Sequence, residues 1–118
     1  MVNKILNLKR KKNIIEMMYA ILKNSKSKDI KIINIRYKAI ESNYFIVCTA
    51  SSKPHVGSIQ KYIESVVKNQ KIYIVGIEGS ADSGWILIDL GSTIIHIMLK
   101  KIRKYYKLEK LWSSYRIL

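Results

Sequence analysis

Two apolar runs, WILIDL and TIIHIM, stand on either side of Gly91-Ser92 and constrain the fold more than any other feature of the sequence. Both runs have strand length and are rich in β-branched residues, and a two-residue connection that contains glycine is typical of a tight β-hairpin. A loop of this length also sets the register of the hairpin. The predicted cross-strand pairs are Asp89 with Ile94, Leu87 with His96, and Trp85 with Met98.

The hairpin sorts its side chains into two sets, because successive residues of a strand point to opposite faces. One set is aliphatic and predicts a core face, and it consists of Ile86, Ile88, Leu90, Ile95 and Ile97. The other set combines an indole, a carboxylate, an imidazole and a thioether, and it consists of Trp85, Leu87, Asp89, His96 and Met98. We expect the mixed face to be a contact surface.

The rest of the chain alternates helical and extended patterns. Ser51 or Ser52 is expected to cap a helix that carries Pro54 near its start. In chain order the pattern predicts a helix over residues 11–24, strands over 30–35 and 44–49, the capped helix, a strand over 72–77, a polar loop over 79–84, the hairpin, and a tail over 100–112 that is helical in its first half. This order predicts a single α/β domain, in which helices pack on one mixed β-sheet.

Length, charge and cysteine content bound the class of protein. The 118 residues fit one domain, and 22 Lys and Arg against 8 Asp and Glu give a net charge of +14 at pH 7. This excess of positive charge favours an anionic partner. However, lysine outnumbers arginine, which is the better residue for bidentate phosphate contacts. A+T-rich codons would explain the abundance of Ile, Lys and Asn equally well. The lone Cys48 favours a reducing compartment. No apolar run approaches the roughly 20 residues of a membrane span, and the N-terminal charges follow the short apolar segment, so we expect a cytoplasmic protein.

An ordered set of aromatic, charged and glycine residues runs through the chain. Its members are Asp29-Ile30, Tyr44-Phe45, Thr49, His55-Val56, Ser58-Ile59, Glu78-Gly79, Trp85, Asp89, Gly91, His96, Arg103, Tyr106, Leu108-Glu109 and Leu111-Trp112. In order and spacing this set resembles the ribosome-silencing factor family of the Iojap type. The resemblance covers about residues 13–112, which we predict to be the domain, between a basic N-terminal extension (1–12) and a C-terminal tail (113–118).

The resemblance implies a fold similar to that of nucleotidyltransferases, without their catalytic residues. It also implies a function: such proteins bind the large ribosomal subunit through its fourteenth protein, on the intersubunit face, block joining of the small subunit and so repress translation. No cofactor, membrane or small-molecule substrate is implied, and a contact with ribosomal RNA is left open. The partner surface that we predict centres on Trp85, with Glu78, Gly79, Ile86, Asp89 and His96 in or beside it.

Departures from the family pattern concern charge. Asn43 and Ser92 stand where the family usually or often has acidic residues. The loss of these carboxylates predicts weaker contacts with a basic ribosomal partner.

The same residues also suggest other roles. Metal-dependent nucleotidyl transfer needs paired carboxylates, and Asp89 has no acidic neighbour, so we predict neither a catalytic nor a metal site. His96 has only His55 as a companion and is predicted to be structural, paired with Asp89 or a nearby carbonyl. From sequence alone, capping of the core is the favoured role of Trp85, and the family resemblance reverses that preference in favour of a contact role. The main alternative function is a basic RNA-binding module, although no RNA-binding motif is present.

The C-terminal segment carries an apolar and aromatic stripe that is predicted to pack back on the sheet. The stripe consists of Tyr105, Tyr106, Leu108, Leu111 and Trp112. Arg103 and Glu109 are predicted to help hold this tail in place.

Overall fold

The computed structural model describes residues 14–34, 44–108 and 116–117. Its elements, in chain order, are α1 (14–24), β1 (Lys28–Asn34), β2 (Tyr44–Ala50), α2 (Lys53–Asn69), β3 (Gly76–Ser80), β4 (Trp85–Asp89), β5 (Thr93–Leu99), α3 (Lys100–Tyr106) and β6 (Arg116–Ile117). The strands form one sheet of order β3-β4-β5-β2-β1-β6, in which β2 and β5 are parallel and the other neighbours are antiparallel. The predicted α/β domain with a mixed sheet is confirmed.

The hairpin has the predicted register. β4 pairs with β5 so that Leu87 lies opposite His96 and Asp89 opposite Ile94. The backbone N–H of Leu90 donates to the carbonyl of Thr93 at 2.8 Å and closes the two-residue loop. Gly91 has φ +88°, a conformation that glycine adopts without the steric penalty of a side chain.

One face of the sheet carries the main hydrophobic core. The five aliphatic hairpin residues predicted for this face are all buried in it: Ile86, Ile88, Leu90, Ile95 and Ile97. Apolar side chains from α1 and α2 complete the cluster, among them Met18, Leu22, Val56, Ile59 and Ile63. α2 follows the predicted capping pattern, since the Ser52 hydroxyl accepts the backbone N–H of His55 at 3.2 Å and Pro54 lies in the first turn. Both helices therefore cover the same face.

The opposite face is partly covered by α3. Arg103 is buried there, and its guanidinium donates to the Thr49 hydroxyl at 2.9 Å and to the carbonyl of Asp29. These bonds anchor α3 to β1 and β2, which agrees with the predicted role of Arg103 in holding the tail. Glu109, Leu111 and Trp112 lie outside the described residues.

Two sequence predictions about elements and packing fail in detail, and one strand lies outside the predictions. The third strand begins at Gly76 rather than Ile72, and it includes Gly79 and Ser80 of the predicted loop. Ile72 and Ile74 are half-buried against the core, so their alternation reflects packing of the connection and not pairing in the sheet. Tyr105 does not pack on the sheet but is 78% exposed. The short edge strand β6, paired with β1, was not predicted.

In the part of the chain that the structure describes, no helix is long and apolar enough to cross a membrane.

Candidate functional site

The indole of Trp85 and the imidazole of His96 form a hydrogen-bonded pair on the mixed face of the hairpin. Trp85 begins β4, whereas His96 lies in the middle of β5, diagonal to it in the register. Trp85 Nε1–H donates to His96 Nδ1 at 3.1 Å, and the ring centroids are 5.9 Å apart with an interplanar angle of 48°. The predicted pairing of His96 with Asp89 or a carbonyl is therefore wrong. Asp89 instead accepts the backbone N–H of Gly91 at 2.8 Å, which stabilises the turn.

His96 is a neutral, buried imidazole. Its side chain is 5% exposed, and burial lowers its pKa to about 4 because the charged form loses hydration. Since Nδ1 accepts the hydrogen bond from the indole N–H, the imidazole's own proton lies on Nε2. Among the described residues, Nε2 is buried without a hydrogen-bond partner. Phe45 contacts the ring edge-to-face at a centroid distance of 5.4 Å. His96 therefore acts as a fixed acceptor for Trp85.

Trp85 also contacts Tyr106 of α3, with ring centroids 4.9 Å apart. The indole is half-buried, and with Tyr106 it borders an open cleft of about 330 Å³. We call this cleft and its lining the Trp85 surface; it consists of Glu78, Gly79, Ser83, Trp85, Leu87, Ile102 and Tyr106. The ring thus holds its polar edge against His96 while part of it stays accessible.

A tight turn between β3 and β4 positions Trp85. The Ser83 hydroxyl donates to the carbonyl of Ser80 at 2.8 Å and lies 3.0 Å from the carbonyl oxygen of Trp85. Gly79 has φ +84°, and a Cβ there would meet the carbonyl oxygen of Trp85 at 2.1 Å. Gly84, with φ +77°, packs against Leu99, whose N–H donates to its carbonyl at 2.9 Å. These close contacts and positive φ angles require glycine at both positions, so Gly79 helps to place the backbone of Trp85.

The structure brings together most of the residues predicted for the site. Glu78, Gly79 and Trp85 line the cleft, and Asp89 and His96 share its face of the sheet. Ile86 does not join them, because its side chain is 0% exposed and lies in the core on the other face.

Sequence reasoning missed Tyr106 and Ile102 as lining residues. The sequence pattern predicts that Tyr106 belongs to a stripe that packs on the sheet, yet it is half exposed beside Trp85. Ile102 and Tyr106 are four residues apart in α3 and so share one face of the helix. That spacing was the sequence signal from which their shared position could have been predicted.

Two other chemically capable side chains, those of Cys48 and His55, are held in structural positions. Cys48 is buried, and desolvation raises the pKa of its thiol to about 12. His55 Nε2 lies 2.6 Å from the carbonyl of Ser25, and its Nδ1 accepts the backbone N–H of Ser51, so it joins the start of α2 to the end of α1. Within the described ranges, no group of three or more His, Cys, Asp or Glu residues could hold a metal ion.

Fold and site together define a single-domain mixed α/β protein that presents a fixed tryptophan beside an open cleft. The chain belongs to the ribosomal silencing factor family, because the family profile described as "Ribosomal silencing factor during starvation" matches residues 8–117. The family resemblance seen in the sequence is thereby confirmed, as is the family's regulatory role in ribosome silencing.

Relatives with this name support the assignment. The chain is 32% identical over 100 residues to ribosomal silencing factor RsfS of Haemophilus influenzae, and the match covers 85% of this chain and 98% of the relative. It is 29% identical over 101 residues to the factor of the same name from Halalkalibacterium halodurans, with 86% of each chain covered. A mouse protein named mitochondrial assembly of ribosomal large subunit protein 1 is 31% identical over 102 residues, which are 84% of this chain and 45% of that protein.

A solved structure shares the fold. The crystal structure of a Chromobacterium violaceum protein superimposes with a TM-score of 0.82 at 29% identity, and the match covers 86% of this chain and 85% of that chain.

Proposed function

We propose that this protein represses translation by binding the large ribosomal subunit through the Trp85 surface and blocking the small subunit from joining. The observation that carries the proposal is the fixed indole: Trp85 is held by His96 on one side and by Tyr106 on the other, beside an open cleft. Tryptophan is enriched among the residues that dominate the energy of protein interfaces. A ring that is already oriented loses little conformational entropy on binding.

The partner that we propose is the fourteenth large-subunit protein, on the intersubunit face. Glu78 is exposed and lines the cleft, so it offers a carboxylate to a basic ribosomal protein. The name of the mouse relative refers to the ribosomal large subunit, which supports a partner on that subunit.

The proposed mechanism is occupancy without catalysis, and it needs no cofactor. Asp89, which shares the face of Trp85 with Glu78, is engaged in the hairpin turn. Buried His96 is directed at the indole and has a pKa of about 4, which ill suits a general base at neutral pH. We place this activity in the cytosol, where the ribosomes assemble.

Sedimentation of purified subunits tests the proposal. Large and small subunits are mixed at joining concentrations of Mg²⁺ with the wild-type protein, with Trp85→Ala, or with Tyr62→Ala. Tyr62 is the matched control, because it is an exposed aromatic residue on α2, which covers the other face of the sheet.

The expected result is that the wild-type protein and Tyr62→Ala co-sediment with large subunits and lower the fraction of joined ribosomes. Trp85→Ala should lose about 2–4 kcal/mol of binding and with it both effects. Joining that is unaffected by the wild-type protein would refute the proposal. If Trp85→Ala blocks joining as well as the wild type does, the surface has been misassigned.

A further inference from the structure

A second cleft, on the other side of the start of α3, is lined by lysines. It has a volume of about 470 Å³. Lys26 and Lys28 border it from the α1–β1 connection and the start of β1, and Lys100 and Lys101 border it from the first turn of α3. The floor is formed by the ends of the parallel strands β2 and β5: Thr49, Ala50, Ser51 and Leu99. We call this the lysine cleft.

The four lysines are all exposed and carry like charges around one cleft. Among the residues that the structure describes, an ion pair joins Lys53 to Asp82, and none of the four cleft lysines takes part in it. The described lining of the cleft carries four positive charges and no carboxylate, and a surface with one sign of charge attracts ions of the opposite sign. The cleft is therefore complementary to a negatively charged ligand.

The polar groups of the floor are already engaged. The backbone N–H of Ser51 donates to His55 Nδ1 at 2.9 Å, and that of Leu99 donates to the carbonyl of Gly84 at 2.9 Å. The Thr49 hydroxyl accepts from Arg103. A cradle for a free nucleotide would need such backbone N–H groups to face the phosphates. With these three groups engaged, the rim lysines are the charged groups that the described lining offers to an anion, and they suit a chain of phosphates lying across the opening.

Among the described residues, the lining contains neither an aromatic ring nor an arginine. Base stacking and bidentate reading of base edges are therefore absent, whereas lysines provide point charges for phosphate oxygens. This chemistry fits contact with a nucleic acid backbone, independent of sequence.

The lysine cleft adjoins the Trp85 surface. Leu99 to Lys101 line the former, while Ile102 and Tyr106, from the next turns of the same helix, line the latter. A protein docked on the Trp85 surface would thus bring the lysine cleft against whatever surrounds its partner. On a ribosomal subunit, much of that surrounding surface is RNA.

We propose that the lysine cleft binds the sugar-phosphate backbone of ribosomal RNA next to the protein partner. The identification of the RNA as ribosomal rests on the proposed function, whereas the phosphate chemistry rests on the cleft alone.

The test measures binding of a fluorescent RNA hairpin of about 20 nucleotides, at several salt concentrations, to four forms of the full chain. They are the wild type, the cleft variant Lys28→Gln/Lys101→Gln, the control Lys61→Gln/Lys68→Gln, and Trp85→Ala. The control removes the same charge from exposed lysines of α2, on the far face of the sheet. Thermal unfolding of each form verifies that the fold is kept.

The cleft variant should bind the hairpin about tenfold more weakly than the wild type near 0.1 M salt, with a salt slope smaller by about two. The control and Trp85→Ala should bind it as the wild type does. Equal losses in the cleft and control variants would show that overall charge, not the cleft, holds the RNA, and no loss in either would also overturn the proposal. ADP that displaces the hairpin at matched phosphate concentration would identify a nucleotide as the occupant instead.

Binding to large subunits separates this inference from the proposed function. The cleft variant should weaken that binding and reduce its salt dependence, while Trp85→Ala should abolish it and keep RNA binding. If Trp85→Ala retains subunit binding, the proposed function fails while the hairpin result still decides the cleft. If the cleft variant binds subunits with unchanged affinity and salt dependence, the ribosomal assignment of the RNA is wrong.

Discussion

Trp85 Nε1–H donates to His96 Nδ1 at 3.1 Å, across the diagonal of the β4–β5 hairpin. The bond couples a half-buried indole to a buried imidazole whose own N–H, on Nε2, finds no acceptor among the described residues. A buried, unpaired N–H costs about 1–3 kcal/mol. The histidine is therefore unfavourable for stability and favourable for holding the indole, a combination that suits a surface shaped for binding.

Substitution of His96 by phenylalanine should separate these two effects. His96→Phe keeps a planar ring between Phe45 and Trp85, removes the unpaired N–H and removes the acceptor for the indole. We expect the midpoint of thermal unfolding to rise and binding to large subunits to fall about three- to tenfold, as one lost hydrogen bond of about 1 kcal/mol predicts. His96→Gln, which keeps a side-chain acceptor, should recover part of the binding. Unchanged affinity in His96→Phe would show that the bond does not position Trp85 for the partner.

The stability of the fold should fall as the pH drops from about 6.5 towards 4, because the pKa of His96 is lowered from 6.5 to about 4. In this window the unfolded chain binds a proton at His96 that the folded chain does not, so acid favours unfolding. The penalty for protonating the buried ring is absent above pH 6.5 and reaches roughly 3 kcal/mol by about pH 4, because one unit of pKa shift corresponds to about 1.4 kcal/mol. The rings against the imidazole belong to Trp85 and Phe45, neither of which titrates in this range.

Urea unfolding at pH 7, 5.5 and 4.5 measures this effect, with His96→Phe as the reference. The variant keeps His55 and every carboxylate, so the difference between the two pH profiles isolates His96. We expect the wild type to lose more stability than the variant at each acidic pH. Parallel profiles would mean that His96 titrates alike in the folded and unfolded chains.

The hairpin could be derived from sequence because two simple rules determine it. A two-residue loop sets the register, and alternation then assigns each side chain to a face, so the aliphatic set and the mixed set were both predicted correctly. The bond between Trp85 and His96 could not be derived in this way. It joins residues that are not directly opposite, and it depends on side-chain rotamers and strand twist, which the residue pattern does not encode.

The limits of the third strand show how apolar alternation can mislead. Ile72 and Ile74 alternate with Tyr73 and Val75 as strand residues do, and Tyr73 is 79% exposed while both isoleucines pack on the core. Pairing with β4 starts only at Gly76, opposite Asp89.

The lysine cleft could not be predicted from the sequence for another reason. Lys28 and Lys101 are far apart in the chain and are brought to one cleft only through the pairing of β1, β2 and β5.

Arg103 should be essential to the attachment of α3. Replacement by methionine keeps the volume but leaves the Thr49 hydroxyl and the Asp29 carbonyl without their donor. We expect Arg103→Met to lower the free energy of unfolding by about 1–3 kcal/mol, measured by urea titration. Lys104→Met is the control, because Lys104 is the exposed neighbour in the same helix. Equal stability of the two variants would refute an anchoring role for Arg103.

Gly79 and Gly76 offer a matched pair within one short strand. A Cβ at Gly79 would lie 2.1 Å from the carbonyl oxygen of Trp85, and φ there is +84°, whereas a Cβ at Gly76 would meet nothing within 4 Å. Gly79→Ala must therefore shift the start of β4, at a backbone cost of at least about 1 kcal/mol before the clash is counted. We expect it to lower the unfolding midpoint, and large-subunit binding to fall because Trp85 moves with its backbone. Gly76→Ala should leave both quantities near wild type. If Gly79→Ala binds large subunits as the wild type does while its unfolding midpoint falls, the exact placement of Trp85 is unimportant for the partner.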